Sequence, residues 1–186
     1  MPGSSTKPSG RLRPQGRGAG SARSAPRSGA RTRFIVDAML GSLARKLRAF
    51  GFDAAYFGSG EDKGLLERSV QEGRIILTAD RSLAARAETR GIRTILVVGN
   101  SDRERVGSIA GWAAAGGIDL VRGDPLCSLC GGELLPVKKA EVSAEVPPAL
   151  WRRHRLFFRC TSCEQLYWRG SHWKKLMSLA RRLEQR

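Results

Sequence analysis

Residues 34–50 read Phe-Ile-Val-Asp-Ala-Met-Leu-Gly-Ser-Leu-Ala-Arg-Lys-Leu-Arg-Ala-Phe. Phe34, Ile35 and Val36 form a short apolar run that stops at Asp37, the pattern of a buried strand ending in a carboxylate. Leu40, Leu43, Ala44, Leu47 and Phe50 then recur at helical spacing, with Arg45, Lys46 and Arg48 on other faces and Gly51 as a stop. The same unit recurs downstream. Ala54–Phe57 reads as a second strand, and residues 61–72 as a helix with Leu65, Leu66 and Val70 inward and Gly73 after its end. Ile75-Ile76-Leu77 is a buried strand running into Thr78-Ala79-Asp80, followed by a helix over 81–90. Thr94–Val98 is the clearest strand, and Asp102 opens a helix carrying Val106, Ile109 and Trp112 that dissolves at Gly116-Gly117. This alternation with short links predicts an α/β fold: a mainly parallel sheet covered by helices on both faces.

In an open parallel sheet, ligands bind beyond the carboxyl ends of the strands. Asp37 directly follows the first strand, Asp80 follows the third by two residues, and Asp102 lies a few residues past the fourth. Asp62, with Glu61 beside it, opens the helix after the second. The four acids Asp37, Asp62, Asp80 and Asp102 are therefore expected along one edge. Crowded carboxylates repel unless cations neutralise them, and an oxygen-rich acidic site suits Mg²⁺ or Mn²⁺. Such ions activate water and stabilise the leaving oxygen in phosphodiester cleavage. Asp is also common at strand ends and helix N-caps, so the argument rests on the constellation rather than on any member.

After Asp124-Pro125 the texture changes. Cys127-Ser-Leu-Cys130-Gly-Gly and Cys160-Thr-Ser-Cys163 are two C-x-x-C knuckles with 29 residues between them. Two such turns complete a tetrahedron of thiolates, which predicts one structural Zn²⁺ per chain with no open position for chemistry. Gly131-Gly132 permits the positive φ that a knuckle needs after its second thiolate. Basic residues such as Arg169 and Lys174 surround the knuckles, interleaved with Trp151, Phe157, Phe158, Tyr167, Trp168 and Trp173. Cations of this kind contact phosphates, and exposed aromatics stack on unpaired bases. Phe157, Phe158 and Trp168 read instead as the core of the small ribbon, His172 as packed or helix-capping, and Trp151 and Trp173 fit either role. The chain closes with a basic helix from Ser171 to Arg186.

The formal charge is +16, from 33 Lys+Arg against 17 Asp+Glu. Residues 1–33 hold eight of the basic residues and no acid, leaving 25 against 17, a net of +8, for the rest. A basic body of this kind points to a polyanion, with nucleic acid ahead of a membrane surface. The first 33 residues are mostly Gly, Ser, Ala, Pro and Arg, a composition that predicts a disordered basic tail. A solvated tail, an electrostatic arm and an organelle transit peptide all share that composition. No apolar run reaches the ~20 residues of a membrane span, and no secretory signal is visible, which places the expected location in the cytoplasm with organelle targeting as the alternative. The sequence assigns no oligomeric state.

The string from Phe34 to Arg48, then Asp62-x-x-Leu65-Leu66, then Ile76-Leu77-Thr78-Ala79-Asp80 resembles the Mut-seven C-terminal RNase domain family. The two C-x-x-C pairs and Tyr167-Trp168-Arg169-Gly170-Ser171-His172-Trp173 are similar to that family's ending. The resemblance spans residues 34 to about 177 and implies a PIN-like nuclease domain (34–122) fused to a zinc ribbon (123–186). It further implies a divalent-metal-dependent ribonuclease, expected to be an endoribonuclease, with Asp37, Asp62 and Asp80 as metal-binding acids and Asp102 as a looser match. RNA contacts are expected from Arg45, Arg48, Arg81, Arg169 and Lys174. The family often carries Arg between Thr78 and Asp80, where this chain has Ala79, with Arg81 the nearest substitute. A non-catalytic RNA-binding zinc-ribbon protein is the alternative.

Overall fold

The computed structural model describes residues 31–183. Strand β1 (Arg33–Asp37) sits between β2 (Asp53–Phe57) and β3 (Ile75–Thr78), and β4 (Thr94–Leu96) adds to β3, all in parallel, in the order β2-β1-β3-β4. Side chains alternate across the sheet. Phe34, Val36, Ile75 and Leu77 face one helical layer, and Ile35 and Ile76 face the other, so the central strands are apolar throughout.

On the first face lie α1 (Gly41–Phe50) and α4 (Asp102–Ala115), contributing Leu43, Leu47, Phe50, Val106 and Ile109 to one core. On the second lie α2 (Asp62–Glu72) and α3 (Arg81–Glu88), with Leu65, Leu66, Leu83 and Ala87. Helix α1 ends at Gly51 in the left-handed region (φ 100°), where an added Cβ would also lie 2.0 Å from the Gly123 carbonyl oxygen. Helix α4 starts from a capping box in which Ser101 and Glu104 satisfy each other's backbone N–H.

Several expectations shift. Val70 is 64% exposed and Ser69 is buried in its place. The inward stripe is Leu65, Leu66 and Ser69, and the Ser69 hydroxyl donates to the Arg74 carbonyl at 2.7 Å, which closes the turn into β3. Strand β4 stops at Leu96: Val97 is still buried and Val98 is exposed. Regular structure begins earlier than position 34, because Thr32 N–H donates to Val121 at 2.8 Å and Arg33 already belongs to β1. Residues 1–30 of the tail expected over 1–33, and the end of the chain after 183, lie outside the described residues.

Beyond the parallel sheet, β5 (Leu134–Val137), β6 (Phe157–Cys160) and β7 (Leu166–Trp168) form a three-stranded antiparallel sheet in the order β5-β6-β7. The stretch between β5 and β6, which carries α5 (Pro148–Arg153), is not merely polar: Val142 and Val146 pack with Phe157 into a small separate core. Helix α6 (Ser171–Ala180) then returns to the first face of the parallel sheet. Ala180 and Leu183 are buried there, with Leu176, Met177 and Leu179 partly buried alongside. Among the described residues no helix is long and apolar enough to cross a membrane.

Candidate active edge and metal centre

Strands β1 and β3 are neighbours, so the residues at their carboxyl ends meet. Thr78 joins them. Its buried hydroxyl donates to Asp37 Oδ2 at 2.8 Å and accepts the Asp80 N–H at 2.9 Å. Asp80 is the N-cap of α3, its Oδ1 accepting from Ser82 N at 2.7 Å and Leu83 N at 3.2 Å. Each carboxylate is thus oriented through one of its oxygens.

Asp62 and Asp102 flank this pair from opposite layers. Asp62 is the first residue of α2 and forms an ion pair with Arg86 of α3. Asp102 is the first residue of α4 and is 3.1 Å from Lys46 Nζ of α1. Glu61 is exposed at the N-cap position of α2 and makes no capping bond through its side chain. No three of these acids bring ligand atoms within 4.8 Å of one another; among the described residues only the cysteines do.

The cysteine site is compact. Cys127 and Cys163 sulfurs are 3.5 Å apart and those of Cys130 and Cys160 3.4 Å apart. A tetrahedron with Zn–S bonds of about 2.3 Å needs sulfurs roughly 3.8 Å apart, so the four residues fit zinc with little adjustment. The two knuckles share one backbone design. Cys127 O accepts from Gly131 N and Cys160 O from Glu164 N, while Cys127 N donates to Gly132 O and Cys160 N to Gln165 O. Gly131 and Glu164 both take positive φ, 84° and 61°. Gly132 lies where the knuckles touch: an added Cβ would be 2.6 Å from Ser162 Oγ and 2.8 Å from Cys160 Sγ.

Sulfurs this close divide protons unevenly. Burial pushes the Cys127 thiol up, but hydrogen bonds from the Cys130 backbone and the Tyr167 hydroxyl outweigh it and bring it down to about 6. Cys163 is drawn down by the Gln165 N–H, yet its cysteine neighbours raise it to about 12. Four thiolates at this spacing require a cation to coexist, which is what a dication supplies. Tyr167 supports the site from behind, its hydroxyl 3.1 Å from Cys127 Sγ and 3.2 Å from Ser128 Oγ.

The residues expected at RNA divide into two kinds. Arg45, Arg81, Arg169 and Lys174 are exposed. Arg48 is a correction: it is 7% exposed, and its guanidinium donates to the carbonyls of Ala54 (2.7 Å), Ser128 (3.3 Å) and Leu129 (2.6 Å). It therefore ties α1 to the first cysteine knuckle instead of facing solvent. Phe158 also departs from its expected core role. It alternates with buried Phe157 along β6 and lines an open cleft, with the Arg169 guanidinium 5.4 Å from its ring centre. Trp151 is structural, its indole N–H donating to Lys139 O at 3.1 Å beside the Val142–Phe157 core. Trp173 and His172 line the cleft, and His172 is exposed, neither packed nor at the N-cap position, which Gly170 holds.

Sequence reasoning did not single out Thr78, Tyr167 or the inward turn of Arg48. For Arg48 a signal existed: it lies four residues after Ala44 and one after Leu47, at the margin of the apolar stripe. Thr78 stands two residues before a helix-capping Asp, where a hydroxyl can reach the following backbone N–H.

A family model described as "Mut7-C RNAse domain" matches residues 32–180. The curated human protein named "Exonuclease mut-7 homolog" is 52% identical over 48 residues, 25% of this chain and 6% of that protein. The aligned stretch therefore spans a small fraction of that relative's length. No solved structure matches.

Proposed function

The chain belongs to the Mut7-C RNase domain family, and we propose that it is a divalent-metal-dependent ribonuclease whose cutting edge is built on Asp37 and Asp80. The observation that carries this reading is the Thr78 bridge, whose hydroxyl bonds the Asp37 carboxylate and the Asp80 backbone N–H and so links the carboxyl ends of two neighbouring strands. One oxygen of each is engaged, Asp37 Oδ2 by the Thr78 hydroxyl and Asp80 Oδ1 by the Ser82 and Leu83 N–H groups, and the other oxygens are the natural ligands for Mg²⁺ or Mn²⁺. Such an ion would supply charge stabilisation and an activated water for attack on the phosphodiester. Arg81, exposed in the first turn of α3 beside Asp80, would hold the phosphate group. Asp62 and Asp102 complete the acidic surround, each restrained by its ion pair. The zinc ribbon serves as a folded support for RNA contacts.

A second reading follows from the same geometry. Asp62 and Asp102 are already neutralised by Arg86 and Lys46, which suits a protein that binds RNA without cutting it. One experiment separates the two. Purified full-length chain is incubated with unpaired RNAs with Mn²⁺, with Mg²⁺, or with no added divalent ion, beside Asp37→Asn and Asp80→Asn. We expect divalent-dependent cleavage that both substitutions abolish while RNA binding persists. Cleavage by Asp80→Asn at the parental rate would refute the assignment, and no cleavage under any condition would leave the binding protein. Circular RNA distinguishes an endonuclease, which opens it, from an exonuclease, the activity named for the human relative.

A further inference from the structure

Between α1, the antiparallel sheet and the start of α6 lies an open cleft of about 950 Å³. One wall is the outer face of α1, where Ser42, Arg45, Lys46 and Ala49 follow one another at helical spacing. The opposite wall carries Phe158 and Trp173, and Arg169 stands over both rings, 5.4 Å from Phe158 and 5.7 Å from Trp173. The α1 wall has a direction. Its first turn, with Ser42, follows immediately on the segment from Asp37, and its last turn holds Arg48, which is bonded to the first cysteine knuckle. Lys46, part of the wall, is also the partner of Asp102.

We propose that this cleft takes an unpaired RNA strand and leads it along α1 to the acidic edge, which makes single-stranded RNA the substrate class. The proposal rests on the ribonuclease reading for the destination of the strand, but the cleft's preference for unpaired RNA is independent of cutting. Three features select that ligand. The cations Arg45, Lys46 and Arg169 match a phosphate backbone, and the chain as a whole carries +16. The rings of Phe158 and Trp173 offer faces on which bases stack, a contact available only to bases freed from pairing. The volume is on the scale of a few nucleotides of one strand. A basic surface without aromatic rings would accept duplex and single strand alike.

The test uses the full-length Asp80→Asn chain with its zinc retained, so that binding is read without cleavage. Fluorescence anisotropy compares a short unpaired RNA with a blunt duplex of the same sequence across a salt series. We expect the unpaired strand to bind more tightly. Adding Trp173→Ala should weaken single-strand binding about tenfold and leave duplex binding unchanged, as loss of one stacked base requires. Adding Arg169→Ala should reduce the log–log salt slope by roughly 0.7. Trp173→Phe keeps a stacking face and should restore most of the affinity, which separates stacking from a folding defect. Photocrosslinking of 5-iodouridine RNA to the chain with an unaltered cleft should mark peptides containing Phe158 or Trp173. Equal affinity for duplex and single strand, or crosslinks confined to other surfaces, would overturn the proposal. So would single-strand binding unaffected by Trp173→Ala, a result expected if the cleft instead holds a protein segment. The fate of the nuclease reading is decided separately, by the cleavage assays on Asp37→Asn and Asp80→Asn.

Discussion

Thr78→Val tests whether one hydroxyl organises the acidic edge. Valine has nearly the shape of threonine, so at a fully buried position the packing survives and only the polar bonds are lost. The hydroxyl's 2.8 Å bond to the Asp37 carboxylate is a bond to a charged acceptor, and the 2.9 Å bond from Asp80 N–H leaves a partly buried donor unsatisfied when it goes. Together these losses amount to about 2–4 kcal/mol. For a folded unit of this size that lowers the Tm by about 5–15 °C. Cleavage should fall further than stability explains, on the order of 100-fold well below the Tm, because the Asp37 carboxylate is no longer held in place. Thr78→Ser keeps the oxygen and should recover both activity and most of the stability. Calorimetry on zinc-loaded protein and cleavage of an end-labelled unpaired RNA with Mn²⁺ supply the two readouts. A Thr78→Val protein with parental Tm and parental cleavage would refute the reasoning, as would a serine variant as impaired as the valine one.

Other perturbations address the remaining parts. Cys160→Ser should abolish stoichiometric zinc binding and, with a metal contribution on the order of 10 kcal/mol at stake, expose β5–β7 to hydrogen exchange while β1–β4 keep most of their protection; full protection in a metal-free preparation would contradict this. Arg48→Met leaves the carbonyls of Ala54, Ser128 and Leu129 without their donor and should cost about 2 kcal/mol or more, with faster zinc loss to a chelator as the local signature. Glu72 is held below its ordinary carboxylate value by hydrogen bonds from Arg68 and then Arg74, against the opposing effect of burial. A depressed folded-state value contributes stability above the unfolded value and loses it as pH falls through the folded one. Glu72→Gln should therefore be less stable than the parent at neutral pH, and the two urea midpoints should converge as the pH falls below the ordinary carboxylate range; a gap independent of pH would show that the carboxylate's charge is not what matters.

The α/β alternation was legible because its signals are local. Phe34–Val36 and Ile75–Leu77 are apolar runs too short for helices, and Gly51 and Gly73 stop helices in the left-handed conformation that glycine adopts without cost. The cysteine site was legible for a similar reason: a C-x-x-C turn brings two sulfurs together through its own backbone, so the spacing already contains half of the tetrahedron. Side-chain direction within an element was less secure. Val70 and Ser69 differ by one helical step, and only the Arg74 carbonyl waiting inside turns the serine inward. Arg48 likewise reads as a surface cation until the knuckle carbonyls, some eighty residues later in the chain, are brought against it.

The kind of sheet, the two C-x-x-C turns and the position of Asp37 and Asp80 after strands could be read from the chain alone, since each follows from patterns among residues close in the sequence. Tertiary structure alone decided which acids are joined and which are held apart. Strand order makes β1 and β3 neighbours, so Thr78 can bridge Asp37 to Asp80, whereas Asp62 and Asp102 begin helices on opposite faces and each meets a cation of its own layer. It also decided that α6 packs against α1 and α4, because its apolar residues are buried by a core formed more than sixty residues earlier. The cleft exists for the same reason: its two walls belong to different sheets' worth of structure, and no periodicity along the chain records the distance between them.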